Sequence, residues 1–573
     1  MNGSNLRRLR HGLKLILTHA GLLTKIQSFL TKKVRRDPLE AVHGQRFLQF
    51  KQQYGHVLRH RLNRNGQKGK IALVSSPPFP EVEIELGLIK ALELAGFVPI
   101  VLIPRGGRLL YKYYRLAAVK NIFLWSEFLE SPHPDLAAAT AVVNRFQSIE
   151  QLLTFEYAGA RVGRLAVSSA LRRSKRGTLD LQSAQDRNIL IHSVAESMAY
   201  ASAAQALLRR FRPHLAILLD VVYTPEGELF DNCIVHGVDT IIWQGAHKSN
   251  SLMLKRYTSR NRGEHPCSLS SESWRLVRDM HWNHTARQRL HEEIHGNYAN
   301  GDWYSIAGTQ FNKQLLEPAA VRARLQLDPT RKTAFIFPNI PWDASLFWVE
   351  CLFQTYDDWF IETVRAACAN DRLNWIIKIH PANVGKRVRE GYQEGIAELA
   401  TLQTRIGNLP PHVSIIAAET DISTYSLFPL MDYCLTVCGT VGLEAARLGI
   451  PVLTGGRGLY SHKGFTIDSA SREEYIGRLA HIQHIARPSP EQHELAERFA
   501  YGIFVLRPLR IMTATLEYHK SQEQFSTSGH INIKNKEDWY KANDLRAFAT
   551  WASDSTQLDF LMPLAECWNS VLS

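Results

Sequence analysis

Ile71-Ala72-Leu73-Val74 is a short apolar run closed by Ser75-Ser76-Pro77-Pro78, and a second run, Val98-Pro99-Ile100-Val101-Leu102-Ile103, ends 32 residues after the first begins. Between them Glu83 to Ala95 carries apolar residues at helical spacing and stops at Gly96, a good C-cap. Strand, helix, strand in so few residues is a βαβ unit, and its two strands lie parallel. The texture recurs. His214 to Asp220 and Thr240 to Trp243 read as buried strands around a helix from Glu226, and 110–210 is mostly helical in pattern. A second αβ block begins near 302, with strands at Thr333–Pro338, Trp375–Pro381, Val413–Ile416, Tyr433–Val437 and Pro451–Leu453. Helices fill Phe353–Asn370, Thr424–Met431 and Val441–Leu448 between them. Two doubly wound, Rossmann-like domains place the ligand in the cleft between them, at the C-terminal ends of the strands.

A chain of 573 residues is too long for one core, and 45% apolar with 21% charged residues excludes a disordered chain or a polytopic membrane protein. The net charge of +14 belongs to one segment. Residues 1–70 hold 16 Lys/Arg against 2 Asp/Glu, and the remainder holds 52 of each. Leu13, Leu17, Ile26, Phe29 and Leu30 share a helix face near Arg7, Arg8, Arg10, Lys14, Lys25, Lys32 and Lys33. This predicts a basic helical arm that either lies on an anionic membrane surface through residues 1–36 or stays solvated. Aromatics are sparse there, so no nucleic-acid partner is expected. The apolar part is too short to span a bilayer and no cleavage site follows it. Seven scattered cysteines without a CxxC pair (Cys233, Cys267, Cys351, Cys368, Cys434, Cys438 and Cys567) fit reduced thiols in a cytoplasmic protein. The expected boundaries are 1–70 for the arm, 71–300 for the first Rossmann-like domain, 301–515 for the second, and 516–573 for a polar loop and terminal helical segment.

Three motifs carry chemistry. Cys438-Gly439-Thr440-Val441-Gly442-Leu443-Glu444 is a strand end, a small-residue turn and a helix start. Free N–H groups and the helix dipole make such a turn a phosphate site, with Thr440 as a hydroxyl donor or the N-cap and Glu444 within reach of a ribose diol. Lys378-Ile379-His380-Pro381 ends a strand with a cation and an imidazole on one face. Together they offset phosphate charge, and His380 can donate to a leaving phosphate. Gly455-Gly456-Arg457-Gly458-Leu459-Tyr460 reads as a flexible basic loop that closes over a donor. Any of these alone is a common feature of αβ proteins, and no P-loop is present.

In this order the motifs resemble the capsule polysaccharide biosynthesis family, whose members look like GT-B glycosyltransferases and include Kdo transferases using a CMP-activated sugar. The matching pieces are Thr440-Val441-Gly442-Leu443-Glu444-Ala445, Gly449-Ile450-Pro451-Val452, Gly456-Arg457-Gly458-Leu459-Tyr460 and Gly464-Phe465-Thr466, with Lys378 to Pro381 upstream. The resemblance covers roughly residues 330–470 and implies donor-phosphate contacts for His380 and Thr440 and a nucleoside contact for Glu444. Gly439 stands where the family commonly has a second hydroxyl or amide residue.

The expectation is therefore a GT-B-like transferase moving a sugar from a nucleotide-sugar to a surface polysaccharide or lipid-linked acceptor. It would work in the cytoplasm or at the inner membrane face, with no cofactor and no metal. Donor-binding candidates are Lys378, His380, Gly439, Thr440, Gly442, Glu444 and Arg457. The acceptor side needs a base or a nucleophile. Asp220 and His247, each ending a buried strand, are the candidates beside His380, with Glu226 behind them. Glu81, Glu83 and Glu85 follow the first strand, where they line the cleft or, more simply, form a solvated helix start. Asn339 to Ser345 is expected at the cleft; the alternative is that Asp343 simply caps the next helix. The same fold also serves a nucleotide-sugar 2-epimerase, a CDP-polyol phosphotransferase, or a silent scaffold.

Overall fold

The computed structural model describes residues 38–62, 69–75, 81–104, 106–310, 312–390, 395–520, 525–554 and 556–562. The predicted amphipathic arm of residues 1–36 lies outside them. So does Cys567.

The first lobe is built on a seven-stranded sheet. Its strands are β1 (Ile71–Ser75), β2 (Val98–Ile103), β3 (Asn121–Leu124), β4 (Leu215–Leu218), β5 (Asp239–Gly245) and β6 (Ser251–Tyr257), joined by the late segment Leu509–Arg510. The order is Leu509–Arg510, β6, β5, β4, β1, β2, β3. β1 to β5 run parallel, with Leu73 opposite Ile100 on one side and Ala216 on the other. β6 and Leu509–Arg510 are antiparallel additions at one edge. The parallel strands are continuous apolar runs because both faces are covered. One face packs on the helices α1 (Pro38–Leu58), α2 (Val82–Leu94) and α3 (Arg108–Leu116). The other packs on the long Ala184–Phe211 helix and the Glu226–Val235 helix. Helix α2 ends as its glycine predicts, with Gly96 at φ 83° and the Phe97 N–H returning to the Leu92 carbonyl.

The second lobe carries β7 (Thr333–Phe337), β8 (Asn374–Lys378), β9 (Val413–Ile416), β10 (Tyr433–Thr436), β11 (Val452–Thr454) and β12 (Ile467–Asp468), all parallel, in the order β9, β8, β7, β10, β11, β12. The segment after β7 reaches across to the first lobe. Ile340, Trp342 and Phe347 are buried among Leu165, Leu171, Leu190 and Val194 of its helical layer.

The packing divides the chain differently from the sequence boundaries, for three reasons. Residues 38–62 are not an arm: Phe47, Phe50, Tyr54, Val57 and Leu58 are core residues of the first lobe, and Arg46 pairs with the buried Glu83 at 2.8 Å. The second lobe begins before 301, because Trp274, Val277, Leu290 and Ile294 belong to its core. The tail after 515 has the expected terminal helical segment, Lys536–Lys541 and Asn543–Ser553, but what precedes it is not a polar loop. Ala514–Lys520 and Phe525–Ile531 form an antiparallel hairpin, and Leu516, Trp539, Phe548 and Trp551 complete the core of the first lobe.

The crossings between lobes are tied together by one buried carboxylate. Asp559 accepts from Lys255 at 3.0 Å and from the Ser270 N–H at 2.7 Å, and pairs with Arg507 at 3.3 Å. Arg507 also donates to the carbonyls of Leu254 and Pro266, both at 2.9 Å. These are charge-assisted bonds with no water to compete.

Candidate active site

The C-terminal ends of the two parallel sheets border a cavity of about 730 Å³ between the lobes. From the first lobe come Glu81, Asp220, Tyr223, Arg172, Lys248 and His265; from the second come Asn339, Asp343, His380 and Lys386. A recess of about 100 Å³ adjoins it, sharing Asn339 and His380 and lined also by Tyr298, Trp303, Tyr304, Lys378, Gly439, Thr440 and Glu444.

His380 follows β8 and borders both spaces. Its Nδ1 accepts the Ala382 N–H at 3.2 Å. Burial, with Lys378 and Lys386 nearby, pushes its pKa down to about 4. The ring is therefore neutral at pH 7, and the proton it carries sits on Nε2 as a donor. Lys378, two residues earlier on the same face, is 1% exposed and donates to the Ile379 carbonyl at 3.1 Å. Burial and the Lys313 charge push its pKa down to about 7, so the ammonium gains from any anion that reaches it.

β10 ends in the predicted turn, and Thr440–Ala446 is its helix. The Gly439 N–H donates to Thr436 Oγ1 at 3.1 Å, and the Gly439 carbonyl accepts from the Tyr460 hydroxyl at 2.7 Å. Glu444 is 2% exposed, accepts from the Tyr298 hydroxyl at 2.7 Å, and is pushed up to about 7 by burial. It sits among three aromatic side chains, with Tyr298 and Trp303 stacked at 5.0 Å.

Asp220 lies just beyond β4 and reaches the large cavity. It adopts φ 55°, a conformation that Asp tolerates better than most residues. Ala344 and Trp348, at φ 55° and 67°, line the same cavity, so unusual backbone gathers around it.

Several sequence candidates fall elsewhere. His247 is fully buried, with Nε2 at 2.7 Å from Glu293 Oε1 and its ring against Trp303 and Phe504. It packs inward because neighbouring positions at the strand end alternate, and Lys248, held by Glu293 at 2.8 Å, lines the cavity instead. Arg457 is a surface residue 4.0 Å from Glu350 and borders neither space. Gly442 is small for packing: an added Cβ would land on the Tyr460 hydroxyl, far inside van der Waals contact. The glycine loop is not a mobile lid by design, since Gly455 and Gly456 press against Trp359 and the Glu350 carbonyl. Glu83 and Glu85 neither line the cleft nor face water. They are buried against Arg46 and Tyr114, and burial raises both. Glu226 is enclosed beside Ser75 and Trp125, pushed up to about 8 by burial, and is not a cavity residue.

The sequence reading passed over Arg172, Tyr223, Lys248, His265 and Lys386. His265 resembles His380: its Nδ1 accepts the Cys267 N–H at 3.0 Å, and burial pushes it down to about 4. Its only sequence signal is His265-Pro266, a pair like His380-Pro381.

Two doubly wound α/β lobes facing a shared cleft at their strand ends define the GT-B class of fold. Residues 290–481 match the capsule polysaccharide biosynthesis protein family, in agreement with the motifs. Among solved structures, the chain is similar to the beta Kdo 2,4 transferase KpsC of Thermosulfurimonas dismutans, at 14% identity over 52% of this chain and 81% of that one, TM-score 0.33. It is also similar to the beta Kdo 2,7 transferase KpsC of the same organism, at 13% over 60% and 89%, TM-score 0.32. The UDP-GlcNAc 2-epimerase of Neisseria meningitidis is similar at 10% over 76% and 95%, TM-score 0.26. None of the curated proteins matches.

Proposed function

We propose that this chain is a glycosyltransferase that moves a sugar from a nucleotide-sugar to a surface polysaccharide or lipid-linked acceptor, at the cytoplasmic face of the inner membrane. The observation that carries the reading is the position of His380. It stands as a neutral N–H donor where an aromatic recess holding a buried carboxyl meets a cavity large enough for a sugar and its acceptor. In this reading the donor lies across the cavity and the mouth of the recess, with Glu444 toward the ribose and Thr440 toward the phosphate. His380 Nε2–H and Lys378 stabilise the leaving phosphate as the glycosidic C–O bond breaks and its electron pair departs with the phosphate oxygen. Asp220 stands on the acceptor side. It takes the acceptor hydroxyl proton in a single displacement, or attacks the anomeric carbon first in a double one.

The test is calorimetry with CMP, UDP, GDP and CDP on wild type and His380→Ala. The expected result is one nucleotide bound at micromolar affinity and weakened about tenfold or more by the substitution, roughly 1.4 kcal/mol. Failure of all four to bind overturns the reading in favour of a silent scaffold.

A further inference from the structure

The first lobe carries a one-signed face that lies outside the cleft. Helix α3 presents Arg108, Tyr111, Lys112 and Arg115 at the i, i+3, i+4, i+7 spacing of a single stripe. Arg108, Tyr111 and Arg115 are exposed, while Leu109, Leu110, Tyr113 and Tyr114 are buried on the opposite side. Helix α1 lies alongside in the same layer. Phe47 and Tyr113 meet edge to face at 5.0 Å, and just past α1 the Arg61 Nε donates to the Ala118 carbonyl at 3.4 Å. To the shared outer surface α1 adds Lys51, Arg59 just beyond its end, and Leu48, which is 63% exposed.

The two helices hold a single carboxylate, Glu40, and it is taken up by Lys112 and Arg108 together. The rest of this surface has cations in excess. This is not the general character of the protein, since acids and bases balance from residue 71 onward. The 37 residues that lead into α1 add nine Lys/Arg against one Asp. Among the described residues no helix is long and apolar enough to cross a membrane.

We propose that the face formed by α1 and α3 docks the protein on an anionic lipid bilayer. Arg108, Lys112 and Arg115 meet headgroup phosphates, and Tyr111 and Leu48 sit at the depth of the headgroups. Lys and Arg suit this because their stems lie on apolar surface while the charge stays in the polar layer, and tyrosine prefers the same level. The charge is complementary to the occupant, and in sequence α1 follows directly on the cation-rich residues 1–37. Position fits as well. Helix α3 begins five residues after the end of β2, so its Arg108 end lies at the same strand-end edge of the sheet as Asp220, which borders the cleft. The purpose rests on the reading of a membrane-side acceptor. The binding is measured without any substrate, and so fails or succeeds separately from the transferase reading.

The test is co-sedimentation of the full chain with vesicles of phosphatidylcholine containing about 30 mol% phosphatidylglycerol, against phosphatidylcholine alone. Wild type is expected to bind the anionic vesicles and to be released as salt rises from about 0.1 to 0.5 M. The R108E/R115E variant is expected to lose about tenfold or more of that binding, with thermal midpoint and nucleotide binding unchanged. R108Q/R115Q should fall between the two, a graded response that misfolding does not produce. The proposal is overturned if wild type ignores anionic vesicles or binds phosphatidylcholine equally. It is also overturned if R108E/R115E binds like wild type while R7S/R8S/R10S abolishes binding.

Discussion

The Tyr223 hydroxyl, on the first lobe, donates to Asp343 Oδ1 of the second at 3.0 Å and accepts the Ala344 N–H at 2.9 Å. Asp343 is held in turn by Lys386 at 2.7 Å, and the Arg172 guanidinium lies 4.4 Å over the Tyr223 ring. One side chain thus fixes the spacing of the lobes on the wall of the cavity. Tyr223→Phe is expected to cost about 1 kcal/mol, since it leaves the Ala344 N–H without its acceptor. The check is a lowered thermal midpoint together with faster hydrogen exchange in residues 340–348.

The pH dependence of stability follows from two histidines. His265 and His380 are each pushed from 6.5 down to about 4. A depressed histidine leaves the unfolded chain binding the proton more tightly, so stability falls as pH drops from about 6.5 toward 4 and levels off below. Each ring contributes up to about 3 kcal/mol across that window. Thermal midpoints of wild type, His265→Gln and His380→Gln between pH 7 and pH 4 should show a shallower decline in both variants.

Gly442→Ala is expected to destabilise by about 2–3 kcal/mol, as overpacking does. Adding Tyr460→Phe removes the hydroxyl that the new methyl meets, and the pair should recover part of the loss. If the glycine instead served a phosphate, nucleotide binding would fall in Gly442→Ala and stability would not.

Arg46→Ala tests whether α1 belongs to the folded lobe. Glu83 is fully buried and Arg46 is its cation, so removing Arg46 strands a carboxyl in the core. A loss of about 3–5 kcal/mol is expected from denaturant unfolding. Glu83→Gln in the same background should restore stability in part.

Glu444 is pushed up to about 7, so it sheds its proton near neutrality. If the ionised form accepts from a ribose diol, nucleotide affinity should rise between pH 6 and pH 8. Glu444→Gln should flatten that rise, as followed by calorimetry.

The parallel strands were legible because they are buried on both faces and read as unbroken apolar runs, as Leu73 and Ile377 show. Strand β6 was not, because it contains Lys255 and Arg256. Their burial depends on Asp559 and on the carbonyls of Trp551, Ala552 and Asp554, some 300 residues away. The same distance hid the role of the tail: Trp539 and Trp551 look like residues of a polar terminus until α1 and α2 are placed beneath them. Lys378, His380, Thr440 and Glu444 could be grouped from the sequence because one sheet edge gathers them along the same recess. His247 was misplaced because a strand end does not reveal which of two successive side chains faces the cleft. Arg172 and Lys386 come from helices whose register against the sheets no local pattern encodes.

The return of the chain at Leu509 has a consequence for synthesis. The second lobe is drawn from a continuous stretch, roughly 271–507, and has its whole sheet once that stretch has left the ribosome. The first lobe is translated from its opening strands onward, yet it lacks an edge strand, a hairpin and the buried Trp539, Phe548, Trp551 and Phe560 until residues 509–560 emerge. The lobe that starts first is finished after the second, and the carboxylate that seals both crossings, Asp559, arrives only once every strand of both sheets has been made.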